Sequence, residues 1–260
     1  MRHLSAVVLF TLAALLCTAC ATDVKPDANT GLPRLEVQNK GLSPGNGGVQ
    51  IEADALRSGD IVLSSANGVG SVGIQLVTLS PVSHAALYGE NGNVVEAVGQ
   101  GIRRRPVADM VAEEATVVVF RHPALTPDQA HAMHAFFDKH VGQKYNYFGV
   151  MLQAPFAMER RLCEVPLVPS MVRDFCIRGV AAIQLGLGRN DQFFCSQFVL
   201  EAFRSVGLPL TDADPRLVNP GDLLHMREGD VPSIRIHQKL MYIGHLKAPP
   251  QATVATQSSN

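Results

Sequence analysis

Charge is scarce in this chain of 260 residues: charged side chains make up 17%, and 22 Lys and Arg stand against 23 Asp and Glu. No basic run is longer than Arg103-Arg104-Arg105. Without a basic face there is no electrostatic footprint for a phosphate backbone, so nucleic acid is not an expected partner. Zinc-ligand spacing is missing as well. His131 and His134 share one side of a predicted helix, but no third ligand of the right type lies near them, and they read as a solvated face. The serine-hydrolase elbow is absent because Val69 stands where Gly-x-Ser-x-Gly around Ser71 needs its first glycine. Gly68-Val69-Gly70-Ser71-Val72-Gly73 fits a dinucleotide-binding loop in spacing only; no alternating strand and helix pattern surrounds it, and it reads as a tight turn. No metal, no cofactor and no internal repeat is expected. What the chain does have is apolar content near half, enough for one large domain with a buried core.

The N-terminus has a basic start at Arg2, an apolar stretch from Ala6 to Leu16 and then Cys17-Thr18-Ala19-Cys20. That stretch is too short to cross a bilayer and has the layout of a secretory signal. Its end resembles a bacterial lipoprotein processing site, with residues 1–19 as the signal and Cys20 as an acylated N-terminus. Cys17 departs from that pattern, which usually has Leu there, and ordinary cleavage after Ala19-Cys20-Ala21 is the other reading. Either route implies export. An acylated chain would be held at a membrane by its lipid, in the cell envelope, on the periplasmic side and at the outer membrane.

Export leaves Cys163, Cys176 and Cys195, besides Cys20, in an oxidising compartment. Cys163 and Cys176 are close enough in sequence for a disulfide; the alternative is that they are buried and reduced. With that pair closed, Cys195 is a free thiol.

Residues 20–50 are rich in Gly, Pro, Asn and Asp without periodicity and are expected to be a flexible tether. Residues 247–260 are expected to be a disordered tail. The folded domain is then 51–246. Strands are predicted over 60–64, 84–88, 93–98 and 116–121, with a turn at Gly89-Glu90-Asn91-Gly92 and a helix over 71–79. Thr126-Pro127 reads as cap plus first helical residue of a helix that Gly142 ends. Phe198, Val199, Ala202, Phe203 and Val206 fall on one face of a helix over 194–206, stopped by Gly207, with Cys195 in its first turn. An apolar segment between Gly149 and Gly188 is either a cap over a site or additional core. Tyr145 either lines a site or packs at a helix end.

A thiolate is needed to attack a carbonyl carbon, and a helix N-terminus together with a partner imidazole can stabilise it. His84 heads a short apolar strand. Glu96, flanked by Val94, Val95, Ala97 and Val98, is costly to bury unless paired. If the two strands lie antiparallel, Glu96 can share a face with His84 and fix the tautomer of its ring.

Asp60-Ile61-Val62-Leu63, Ser83-His84-Ala85-Ala86-Leu87-Tyr88, Val95-Glu96-Ala97 and Phe194-Cys195-Ser196-Gln197-Phe198-Val199 resemble the permuted papain-fold hydrolases of the NlpC/P60 superfamily, in particular the YaeF/YiiX-like branch. The order is the permuted one, with the sheet before the cysteine helix. The resemblance implies an α+β, circularly permuted papain-like fold in which a small antiparallel, barrel-like sheet packs on the cysteine helix. It also implies Cys195 as nucleophile, His84 as base and Glu96 as orienting acid. The expected activity is that of an envelope cysteine hydrolase or acyltransferase on a lipid, acyl-amide or ester substrate. The rivals are a peptidoglycan peptide endopeptidase and a noncatalytic envelope binding or scaffold lipoprotein.

Overall fold

A computed structural model describes residues 22–26, 30–37, 48–66, 81–144, 163, 171–177, 179, 193–231 and 233–248. In chain order the strands are β1 (Thr22–Pro26), β2 (Pro33–Val37), β3 (Ile61–Ala66), β4 (His84–Tyr88), β5 (Asn93–Val98), β6 (Gly101–Pro106), β7 (Glu114–Arg121) and β8 (Met241–Lys247). The helices are α1 (Val107–Glu113), α2 (Pro127–His140), α3 (Cys195–Ser205) and α4 (Pro220–His225). Strands and helices are segregated along most of the chain, an α+β arrangement.

Six strands form one sheet in the order β6-β5-β4-β3-β7-β8, and every neighbouring pair is antiparallel. Among the described residues the expected barrel-like closure is absent: β6 and β8 are the two edges. β6 carries three consecutive arginines and ends at Pro106, features that blunt an edge against further pairing. The β4–β5 turn takes the backbone through the left-handed region at Asn91 (φ 56°) and Gly92 (φ 74°), which the Asn-Gly pair tolerates.

Alternation along the strands divides the core. Ile61, Leu63, Ala85, Leu87, Val95 and Ala97 face Phe198, Val199, Ala202 and Phe203 of α3. Val62, Ala86, Val94, Val117 and Val119 lie on the other face with Val107 and Met110 of α1. α2 is opened by a capping box between Thr126 and Gln129, with Pro127 at its first position. It then sends Phe137 onto Phe198 of α3, with ring centroids 6.0 Å apart. Truncating a buried phenylalanine of this kind costs about 3–5 kcal/mol, so these rings fix how α3 lies on the sheet.

Two boundaries differ from expectation. The supposed tether holds the antiparallel pair β1–β2, matched from Thr22 opposite Val37 to Pro26 opposite Pro33. Its end is also part of the body: Ile51 N–H donates to the His245 carbonyl at 2.9 Å, and His245 N–H donates to the Val49 carbonyl at 2.7 Å. Backbone pairing joins residues 49–51 to β8, at the end of the stretch where composition alone suggested a linker. Lys247 closes β8 and so belongs to the sheet. The signal at 1–19, Cys20, the helix expected over 71–79, Tyr145, the tail from 249 and most of the apolar segment lie outside the described residues. Among the described residues no helix is long and apolar enough to cross a membrane.

Candidate active site

His84 is the first residue of β4 and Cys195 the first of α3, and the two side chains meet where both elements begin. Ala86 pairs with Glu96 across the β4–β5 ladder, so His84, two residues back on the same face, lies diagonal to Glu96. Its Nε2 is 2.8 Å from Glu96 Oε2. The Cys195 side chain is close enough to the ring to raise its pKa. With Nε2 engaged by the carboxylate, Nδ1 is the nitrogen left for sulfur. Cys195 is a free cysteine and only 7% exposed.

The start of α3 differs from those of α2 and α4. Thr126 and Asn219 each complete a capping box for α2 and α4. The cap position of α3 is Phe194, which has no side-chain acceptor to offer, and the first turn contains no acidic residue. The first helical bond runs from Phe198 N–H to the Phe194 carbonyl. The N–H groups of Cys195, Ser196 and Gln197 therefore lie at the positive end of the helix without an intrahelical acceptor. Ser196 Oγ donates instead to the Val218 carbonyl at 2.6 Å, tying this turn to the chain that leads into α4.

Glu96 has no exposed side-chain surface. One oxygen takes His84; the other, Oε1, accepts from Arg103 Nε at 2.9 Å. Arg105 Nε approaches the same oxygen at 2.9 Å, a charge contact whose angle is too poor for a hydrogen bond. Burial pushes the carboxyl pKa up, but the His84 hydrogen bond and charge, then Arg105 and Arg103, outweigh it and hold Glu96 down at about 2. For His84, burial acts to lower the pKa, while the hydrogen bonds and charges of Cys195 and Glu96 win and push it up to about 10. Such a ring keeps its proton at neutral pH and offers sulfur a cationic partner. An imidazole ring between a sulfur and an ionised carboxylate can pass one proton back and forth, as imidazolium with thiolate or imidazole with thiol, without rotating.

Comparison with known proteins gives no matching family model. A curated relative, the probable lipoprotein peptidase YaeF of Escherichia coli (strain K12), is 35% identical over 250 residues, covering 92% of this chain and 91% of the relative. The chain belongs to the YaeF/YiiX-like family. A solved structure of a protein described as metalloprotein yiiX, from Escherichia coli O157:H7, is 17% identical, covers 75% of this chain and 98% of its own, and gives a TM-score of 0.44. At that score the likeness bears on no assignment of residues or chemistry.

Of the residues that sequence singles out, Cys195, His84 and Glu96 come together, and Cys163 is bonded to Cys176. His131 and His134 do not join them. His134 Nε2 lies 2.9 Å from Ser58 Oγ and 3.2 Å from Glu90 Oε1, while His131 is largely exposed. Among the described residues no cluster of three His, Cys, Asp or Glu could hold a metal ion. Sequence reasoning missed Arg103 and Arg105, which read as part of a charge run. The signal was their alternation: opposite Glu96, every second residue of a strand shares its face.

Proposed function

We propose that this protein is an exported cysteine hydrolase of the cell envelope, anchored by lipid at Cys20, with a circularly permuted papain-like arrangement of Cys195, His84 and Glu96. The observation that carries the reading is the His84 ring, which lies 2.8 Å from Glu96 Oε2 and close enough to the Cys195 side chain for the sulfur to raise its pKa. Envelope location and hydrolytic chemistry are supported by the relative's name, a probable lipoprotein peptidase.

In this mechanism the Cys195 thiolate adds to a carbonyl carbon while protonated His84 balances its charge. The oxyanion is met by N–H groups at the uncapped start of α3. His84 gives its proton to the leaving nitrogen or oxygen, the C–N or C–O bond breaks, and a thioester remains on Cys195. His84 then takes a proton from water, the hydroxide adds to the thioester, and the C–S bond breaks to release the acid. An alcohol or amine in place of water makes the same enzyme an acyltransferase. Glu96 keeps the ring in one orientation throughout.

Two substrate readings have support. The peptidase in the relative's name favours a peptide amide, including a crosslink of the cell wall. Exposed Met171, Val172 and Phe175, on helical residues 171–177 tied by the Cys163–Cys176 bond, favour an acyl chain or lipid as the substrate. The test of the chemistry precedes the choice of substrate. Iodoacetamide at pH 7 is expected to label Cys195 faster than a free cysteine and to abolish cleavage of N-acyl amide, ester or muropeptide probes, with fluorophosphonates inert. Full activity in Cys195→Ala would sink the proposal. New muropeptides from purified peptidoglycan would select the peptide reading, and release of fatty acid from acyl probes the lipid one.

A further inference from the structure

Three consecutive arginines on edge strand β6 do two different things. Arg103 is the register partner of Glu96, and Arg105 is two residues on, so both lie on the face that carries Glu96 and His84. Arg104, between them, points to the opposite face and pairs with Asp138 of α2 at 2.6 Å. We infer that Arg103 and Arg105 are positioning residues for the reaction: together they hold Glu96 ionised with one oxygen turned to His84, leaving the ring a fixed counter-charge. The inference rests on the reading of Glu96 as the orienting acid.

Both arginines act on the same oxygen, Oε1, so that Oε2 is left for the ring. A carboxylate with no exposed surface has no water to turn it, and its direction is set by the Arg103 hydrogen bond and the nearby Arg105 charge. Each arginine is itself held. Arg103 Nη1 donates to Gln100 Oε1 at 3.3 Å. Arg105 Nη1 donates to Glu113 Oε2 at 2.6 Å, and its Nη2 lies 3.5 Å from Glu114 Oε1. The charged and titratable groups facing Glu96 are therefore His84 from β4 and Arg103 and Arg105 from β6. Behind them stand Glu113 and Glu114, at the junction of α1 and β7, and Cys195 from α3. The two cations outnumber the one carboxylate they share, and the acidic pair at 113 and 114 anchors Arg105 without touching Glu96's oxygens in its place.

The experiment follows the carboxyl carbon of Glu96 by NMR, assigned from its loss in Glu96→Gln, and the pH profile of iodoacetamide labelling at Cys195 in the full chain. Arg103→Gln is expected to raise the Glu96 midpoint by about one pH unit, the low end of what an adjacent opposite charge does. The acid step of the labelling profile should move up by the same amount, while the ratio between pH 5 and pH 8, where Glu96 stays ionised in both proteins, should not change. Arg103→Lys should restore most of the midpoint, and Arg104→Gln, which removes the same charge from the other face, should move neither readout. Arg105→Gln is the more disruptive change because that side chain is nearly buried, so the decision rests on Arg103. A Glu96 midpoint that stays put in Arg103→Gln, or moves equally in Arg104→Gln, overturns the inference. If the midpoint moves as expected but unmodified Cys195 labels no faster than free cysteine, the clamp stands and the hydrolase reading falls.

Discussion

Two buried carboxylates, Asp60 just before β3 and Glu96 on β5, are held in opposite ways. Asp60 is clamped by Arg121, with Nε to Oδ1 and Nη2 to Oδ2 both at 2.6 Å, and it accepts from the Arg57 backbone N–H at 2.8 Å. All its partners are groups that do not change protonation at ordinary pH. Glu96 gives one oxygen to arginines and the other to an imidazole that also touches a thiol. A bidentate pair closes on itself and ties the start of β3 to β7; in the proposed mechanism a split carboxylate passes its charge on to a proton carrier. Burial is alike in the two, so in the proposed mechanism partner type is what separates a structural acid from one placed for chemistry.

The sharpest way to break this comparison is at the proton carrier. His84→Ala is expected to cut turnover by about 10⁴, the upper end for a general acid–base group, and to bring iodoacetamide labelling of Cys195 down to the rate of a free thiol. Retained labelling would mean that the helix terminus alone activates sulfur. Glu96→Gln should lower turnover by about 10³ through loss of ring orientation and counter-charge. If Asp60→Asn did the same, the distinction between the two acids would collapse. Instead Asp60→Asn should cost about 3 kcal/mol in denaturant unfolding, because Arg121 is left without its counter-ion, with labelling of the folded protein unchanged. Thr126→Ala removes only a helix cap on α2 and should cost about 1 kcal/mol without touching reactivity.

The pH dependence of stability sharpens the same contrast. His84 has its pKa raised from 6.5 to about 10 on folding, so its contribution is full below 6.5 and is lost as pH rises through 10. Glu96 is lowered from 4.5 to about 2, so its contribution is full above 4.5 and is lost as pH falls through 2. Both are complete between pH 4.5 and 6.5. The melting temperature of the unmodified protein is therefore expected to fall from pH 7 to pH 10, and the fall should be shallower in His84→Gln. An identical slope in the two proteins would show that the ring carries no extra proton affinity in the native state.

The local elements with strong punctuation were legible in the chain. Thr126-Pro127 before an amphipathic run and Gly207 after another marked α2 and α3 to within a residue. The turn at Gly89-Glu90-Asn91-Gly92 joined β4 and β5 as expected. β6 and β8 were not read as strands, and α1 was not read as a helix. Arg103-Arg104-Arg105 hid the alternation of β6 under a charge run, and α1 is only seven residues long, too short for a helical period to declare itself. The pairing of residues 49–51 with β8 joins parts of the chain nearly two hundred positions apart, which no local pattern reports.

Residue types and their order were enough to name a thiol, an imidazole and an acid, and to say which helix and strands would carry them, because helix caps and strand alternation act over a few neighbours. The direction of Glu96, the choice of Nε2 for its bond to His84 and the division of labour among three adjacent arginines came only with the folded sheet. Those depend on cross-strand register and on which face is closed to water, and both are properties of the assembled chain.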